Sequence, residues 1–251
     1  MKEFVDSLMV KDDEYILFAG NLVSFLKIYQ QGSSIKELKL VLNNFLDLLL
    51  QKANKSGIAL QAFNWDFCKG FAYDILKTKS QTGTLSNIAL ARSDFRRTKH
   101  PIYSFAVAGK FQKELVALEN KGAFDNNSPF AFMHKNNAKM IIIDLPLQHS
   151  FTFVHYVEEC LKVDYRFNKS FEALYTDEQR KTELKSYNMF VRKTNVETNL
   201  YPLEKILQNE RAMHVSYYEN ICIKKIDLNK AYEIIARDII ENKSRNLMFY
   251  T

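Results

Sequence analysis

Short runs of apolar residues recur along the chain, each bounded by polar or turn-forming residues. They are Tyr15-Ile16-Leu17-Phe18-Ala19, Ile58-Ala59-Leu60-Gln61-Ala62-Phe63, Ile102-Tyr103-Ser104-Phe105-Ala106-Val107 and Met140-Ile141-Ile142-Ile143-Asp144. Runs of this length predict strands covered on both faces. Between them the apolar spacing lengthens to a helical period. Ser34-Ile35-Lys36-Glu37 reads as a capping box, in which the serine oxygen and the glutamate carboxylate each take a free backbone N–H. Leu38, Leu42, Phe45 and Leu49 then fall on one face. Leu228, Ala231, Ile235 and Ile239 form a second stripe and predict a helix over about 227–241 that closes the fold against a sheet.

Strand and helix in alternation predict a three-layer α/β/α domain with a mostly parallel central sheet. One domain over 1–251 is expected, with a smaller inserted or C-terminal lobe at about 161–225. Thr176–Glu183 reads as a solvated helix or loop in that lobe. Ligands of such sheets bind beyond the carboxyl ends of the strands.

Composition narrows the class. With 251 residues, 7 Gly and 4 Pro, the chain is long enough for a large core and is neither collagen-like nor disordered. Cys68, Cys160 and Cys222 are scattered without a CxxC pair, so neither a disulfide framework nor a zinc ribbon is encoded, and a reducing cytoplasm is the expected location. The opening residues lack a leader layout and no window has the length to cross a bilayer, so no membrane role is expected. The net charge of +6 favours anionic ligands. The basic residues are nevertheless dispersed, without the stripe of a nucleic-acid binder.

Chemistry-bearing residues gather in two places. Between Lys77 and Lys110 lies what reads as a long loop, with Thr82-Gly83-Thr84 as a close turn, Arg92, Arg96 and Arg97 as fixed charges, and His100-Pro101 leading into the third strand. The second is Ser150–Glu159. If a helix starts near Thr152, His155 and Glu158 share one face, and the carboxylate can orient the imidazole as a general base. On its own such a pair usually decorates a solvated face. HExxH is absent, and the six-residue step from His149 to His155 does not favour one face, so no metal site is expected.

Five ordered segments resemble the aminoglycoside 3-N-acetyltransferase family. Ala62-Phe63-Asn64-Trp65-Asp66-Phe67 is similar to the family's Pro-Thr-Phe-Thr-Trp stretch, and Thr82-Gly83-Thr84-Leu85-Ser86 follows. Arg97-Thr98-Lys99-His100-Pro101-Ile102-Tyr103-Ser104-Phe105-Ala106-Val107-Ala108-Gly109 resembles its Arg-Ser-x-His-Pro-x-x-Ser-Phe-Ala-Ala-x-Gly. Ser128-Pro129 comes next, and Thr152-Phe153-Val154-His155-Tyr156-Val157-Glu158 matches its Thr-x-x-His-Tyr-Ala-Glu. The motifs span about residues 15–160.

The resemblance implies direct transfer of an acyl group from acetyl-coenzyme A to an amine, with His155 as base and Glu158 assisting. By the same resemblance Gly20, Asn21, Thr82, Gly83, Ser104 and Thr152 are candidate coenzyme contacts, and Trp65, Asp66, Arg97 and His100 are candidate contacts to the amine substrate. Two segments depart from the family: Ala19-Gly20-Asn21-Leu22 replaces His-Ser-Ser-Leu, and the Gly-Ala-Leu-Ser-Glu segment ends here in Asn87. An aminoglycoside is a polycation and calls for an acidic pocket, whereas this chain is net basic. The expected acceptor is therefore a nucleotide-linked amino sugar of surface-glycan biosynthesis. The alternatives are aminoglycoside acetylation in antibiotic resistance, and a non-catalytic relative that binds coenzyme or a partner protein. The expected partners are small molecules and, as an option, a second copy in a homodimer.

Overall fold

Successive side chains of a strand point to opposite faces, so a strand apolar at every position needs cover on both sides. The computed structural model describes residues 1–30, 32 and 34–251 and provides that cover. Its strands are β1 (Ile16–Gly20), β2 (Ile58–Gln61), β3 (Tyr73–Asp74), β4 (Arg96–Arg97), β5 (Phe105–Ala108), β6 (Lys139–Ile143), β7 (Arg166–Thr176), β8 (Thr182–Arg192), β9 (Val196–Thr198), β10 (Met213–Tyr218), β11 (Ile221–Asp227) and β12 (Met248–Tyr250). Its helices are α1 (Lys2–Ser7), α2 (Val23–Tyr29), α3 (Ile35–Lys52), α4 (Thr84–Leu90), α5 (Gln112–Ala117), α6 (Pro129–Lys135), α7 (Phe153–Cys160), α8 (Tyr201–Asn209) and α9 (Leu228–Asn242).

The main sheet has the order β10-β11-β6-β1-β2-β5-β4. At its centre β1 pairs in parallel with β2, Ile16 opposite Ile58, and with β6, Ile16 opposite Lys139. The flanking pairs β2–β5, β5–β4, β6–β11 and β11–β10 are antiparallel. It follows that β1, β2, β4, β6 and β10 run one way, and only β5 and β11 run the other. The sheet is mostly parallel in direction, with its parallel hydrogen bonding confined to the centre.

Leu17, Ala59, Val107, Met140 and Ile142 face a core shared with α5 to α9. Ile16, Phe18, Leu60, Ile141 and Ile143 face the opposite core, against α1 to α4. This is the expected three-layer arrangement. Phe45 of α3 and Phe153 of α7 are fully buried in the two layers, each contributing about 1.5–3 kcal/mol by burial. The capping box forms in part: Ser34 accepts from Glu37 N at 3.1 Å, but the Glu37 carboxylate accepts from Gly32 N at 2.6 Å rather than from Ser34.

Three expectations change. The stretch 77–110 is not a continuous loop, because it contains α4, whose Leu85, Ile88 and Ala89 are buried under the sheet. The smaller lobe is not 161–225, since β10 and β11 complete the main sheet. What stands apart is the β7–β8 hairpin with β3, packed around Phe67, Tyr73, Ile102, Tyr175 and Tyr187. Thr176–Glu183 is the tip of that hairpin, closed by Lys181 N donating to Asp177 Oδ1 at 2.9 Å.

Gly57 and Gly109 meet where β2 and β5 come together, with φ of 110° and 93°. A Cβ on Gly57 would lie 2.2 Å from Ala108 O. Gly57→Ala is therefore expected to lower stability by about 1–3 kcal/mol, read as a lower denaturant midpoint with an unchanged slope.

Candidate active site

Beyond the carboxyl ends of β1, β2 and β6 lie two adjoining cavities, of about 530 and 250 Å³, which share Gln61, Trp65, Thr82 and His149 as walls. Gly20 and Asn21 at the end of β1, with Thr82 and Gly83, border the larger one. His155 and Thr152 border the smaller.

The local sequence explains the position of His155. After β6 the chain turns through Pro146, and Ser150 Oγ donates to Pro146 O at 2.8 Å. Gln61 Nε2 donates to Ser150 O at 3.1 Å, which ties the end of β2 to the entry of α7. Phe153, Val154, Tyr156 and Val157 bury the inner face of that helix. His155 is left at the cavity, its side chain 21% exposed, while Glu158 behind it is 1% exposed.

The imidazole is held from behind. Its Nδ1 lies 2.7 Å from Glu158 Oε2. The Glu158 carboxylate also takes the Tyr165 hydroxyl at 2.9 Å and pairs with Arg166 Nε at 2.7 Å. Arg166 Nη2 goes on to Thr198 Oγ1 at 3.2 Å, on the cavity wall. Burial pushes the Glu158 carboxyl up, but His155, Arg166 and Tyr165 together hold it below its ordinary value. Burial and the neighbouring Arg166 cation keep the imidazole below its ordinary range, against the opposing pull of Glu158. A ring neutral at pH 7 with Nδ1–H directed at a carboxylate keeps the lone pair of Nε2 for a proton.

The remaining site expectations divide. Gly20, Asn21, Thr82, Gly83, Trp65 and Thr152 all border the paired cavities. Thr82 Oγ1 is already engaged, donating to Gln61 O at 2.6 Å and accepting from Phe63 N at 3.2 Å, so it presents its turn rather than its hydroxyl. Thr152 makes no capping bond with its side chain and borders the cavity three residues before His155. Asn87 accounts for its own departure from the family: its amide donates to Ser80 O at 3.0 Å and Gly83 O at 3.1 Å, bonds a carboxylate cannot donate.

Four expected contacts lie elsewhere. Ser104 is fully buried, donates to Ala62 O at 2.7 Å and accepts from Arg97 Nε at 2.9 Å, so it cannot meet a coenzyme. Arg97 is buried too, its guanidinium on the carbonyls of Ala62 and Thr78, where it fastens the chain after β2 instead of binding substrate. His100 is fully buried edge-on to Tyr187, accepts from Tyr103 N at 3.1 Å, and is lowered to about 4 by burial. Asp66 borders a separate cavity and accepts from Lys69 and Gln81. Ser104→Ala is accordingly expected to cost about 1–3 kcal/mol of stability, by leaving Arg97 Nε without its partner, with no change in the KM for acetyl-coenzyme A in a thiol-release assay.

Gln61, Gln148, His149 and Thr198 border the cavities without having been singled out for this site. Gln61 had a signal, as the one amide within an apolar run. Cys68 and Cys160 border neither cavity, and burial pushes the Cys68 thiol up to about 11 and raises that of Cys160. Among the described residues no three His, Cys, Asp or Glu side chains gather to hold a metal ion, and no helix is long and apolar enough to cross a membrane.

A supported imidazole lines the smaller of two adjoining clefts at the carboxyl ends of the central strands. The model of the aminoglycoside 3-N-acetyltransferase family matches residues 40–238. The chain belongs to that family, and its class is that of the acyl-coenzyme A-dependent acetyltransferases. No curated protein matches the sequence. Solved structures with the same fold include aminoglycoside acetyltransferase AAC(3)-Xa, 13% identical with a TM-score of 0.77 over 96% of this chain and 91% of that one. AAC-IIIb, in a binary complex with CoASH, is 10% identical with a TM-score of 0.75 over 96% and 95%. Sisomicin-bound AAC-VIa is 16% identical with a TM-score of 0.73 over 96% and 98%. At these identities the likeness is one of fold.

Proposed function

We propose that the protein transfers the acetyl group of acetyl-coenzyme A to the primary amine of an amino-sugar ring, with His155 as general base and Glu158 as the group that orients it. The observation that carries this reading is the 2.7 Å contact between His155 Nδ1 and Glu158 Oε2, with the imidazole on the wall of the smaller cavity. The larger cleft suits the thioester arm of the coenzyme. Gly20, where a Cβ would come within 3.0 Å of Ile143 Cβ on the neighbouring strand, and the Asn87-stapled turn at Thr82–Gly83 both border it.

An ammonium has no lone pair, so the amine must lose a proton to become the nucleophile, and Nε2 of His155 accepts it as nitrogen attacks the thioester carbonyl. The C–N bond forms, the C–S bond breaks, and coenzyme A leaves as the thiol. Thr152 is the hydroxyl free to donate to the developing oxyanion.

Acetylation of an aminoglycoside, the acceptor for which the relatives are named, has more support than the nucleotide-linked sugar expected from net charge. The comparisons lend the latter none, and the +6 charge that motivated it does not reside in the cleft walls. Release of free thiol from acetyl-coenzyme A, followed with an amine panel, tests the reaction. Amine-dependent release is expected, and its absence with every amine would reduce the protein to a coenzyme binder.

A further inference from the structure

The walls of the two cavities carry hydrogen-bonding and aromatic groups but no fixed charge. Among the described residues not one Asp, Glu, Lys or Arg borders either cavity, and the undescribed Gln31 and Ser33 are uncharged types. The carboxylates next in sequence or hydrogen-bonded to wall residues are engaged. Glu204 pairs with Lys224 at 2.9 Å and accepts from Leu147 N at 3.1 Å. Asp144 accepts from Cys222 N at 2.8 Å, and Asp66 takes Lys69 and Gln81. Glu197, beside Thr198, pairs with Arg192 at 2.8 Å. Glu158 is spent on His155, Tyr165 and Arg166. The cations behind the walls are engaged in the same way: Lys224 donates to Leu145 O at 2.7 Å, and Arg166 donates to Thr198.

A polycation entering this space would lose the hydration of each additional ammonium and find no counter-charge, and a diphosphate would find no guanidinium or ammonium. What the walls do offer is Trp65, 37% exposed and common to both cavities, the ring of Tyr103, the Thr152 hydroxyl and the side-chain oxygen of Gln61, whose Nε2 is taken by Ser150 O. The Gln148 amide is engaged at both ends, by Thr198 O and Leu200 N. Aromatic faces and neutral donors and acceptors suit a hydroxylated ring.

Resting on the transfer reaction proposed above, we infer that the acceptor is an amino sugar with a single amine and no other charge, neither a polycationic aminoglycoside nor a sugar linked to a nucleotide diphosphate. The lone ammonium gives a proton to His155 on becoming the nucleophile, so no second charge needs a partner.

The test uses the full chain with acetyl-coenzyme A and methyl monoamino-hexosides bearing the amine at each ring position, beside kanamycin and uridine-diphosphate glucosamine. At least one monoamine should exceed both charged acceptors in kcat/KM by about a hundredfold or more, the scale set by leaving charges unpaired. Kanamycin or the nucleotide sugar turned over as well as the best monoamine would overturn the inference and leave acetyl transfer standing. Calorimetric binding of the same amines to the coenzyme A-loaded protein separates the two readings. Preferential binding of a monoamine without thiol release would overturn the transfer reaction and uphold the acceptor class. Tighter binding of kanamycin would overturn the acceptor class.

Discussion

His155→Ala should lower kcat/KM for acetyl transfer by about two to four orders of magnitude. The fold should persist, because His155 stands at the cavity with its side chain partly exposed while Phe153, Val154, Tyr156 and Val157 anchor the helix. The loss should fall on kcat, since the proton moves in the transition state and the coenzyme walls are untouched. In the parent protein the imidazole is held below its ordinary value of 6.5, first by burial and then by Arg166. The base stays neutral as pH falls through the ordinary histidine range, so the acid limb of the kcat/KM profile is expected below pH 6.5. Steady-state kinetics across pH, with far-ultraviolet circular dichroism of the variant, checks both statements. Near-normal turnover in His155→Ala would remove this residue from the mechanism.

Arg166→Met should be the most destabilising of the substitutions considered, at about 3–5 kcal/mol, because it leaves the Glu158 carboxylate buried without its cation. Arg166 is 6% and Glu158 1% exposed, so solvent does little to screen the pair. The sign with pH follows from Glu158, whose folded value is held below the ordinary 4.5. Its contribution to stability is complete above that ordinary value and is lost as pH falls through the lowered one. The deficit of the variant should thus be largest near neutrality and shrink in acid, as urea denaturation at several pH values would reveal. The same change removes a cation that disfavours imidazolium, so the acid limb of activity should move to higher pH. A limb that stays in place would deny Arg166 any influence on the base.

Much of this organisation is readable from residue types and spacing. The four apolar runs locate β1, β2, β5 and β6 to within a few residues, since only a strand covered on both faces tolerates an apolar residue at every position. Thr152 is correctly read as the start of α7, and the His155 and Glu158 spacing foretells their contact. Strand direction is not readable, because apolar spacing is the same whichever way a strand runs, and β11 is hidden as well, since Ile221-Cys222-Ile223-Lys224-Lys225-Ile226-Asp227 is not an unbroken apolar run. α4 was obscured by the turn before it, where Gly83 takes φ 124°. Ser104, Arg97 and His100 mislead for a shared reason: a polar residue in a motif serves either a ligand or a neighbouring carbonyl, and its type does not say which. Here Arg97 and Ser104 converge on Ala62 O, and that oxygen became visible only when the strands were assembled. Net charge misled because it sums the whole surface, while the clefts are neutral.

The base and the three side chains behind it lie within one short stretch, since Tyr165 and Arg166 follow His155 and Glu158 closely in the chain. Part of the smaller cavity's wall comes from farther along, at Thr198 and Leu200. Arg166 touches both, pairing with Glu158 and donating to Thr198, so a single guanidinium joins that distant wall to the proton acceptor and a change at Thr198 is felt by the base.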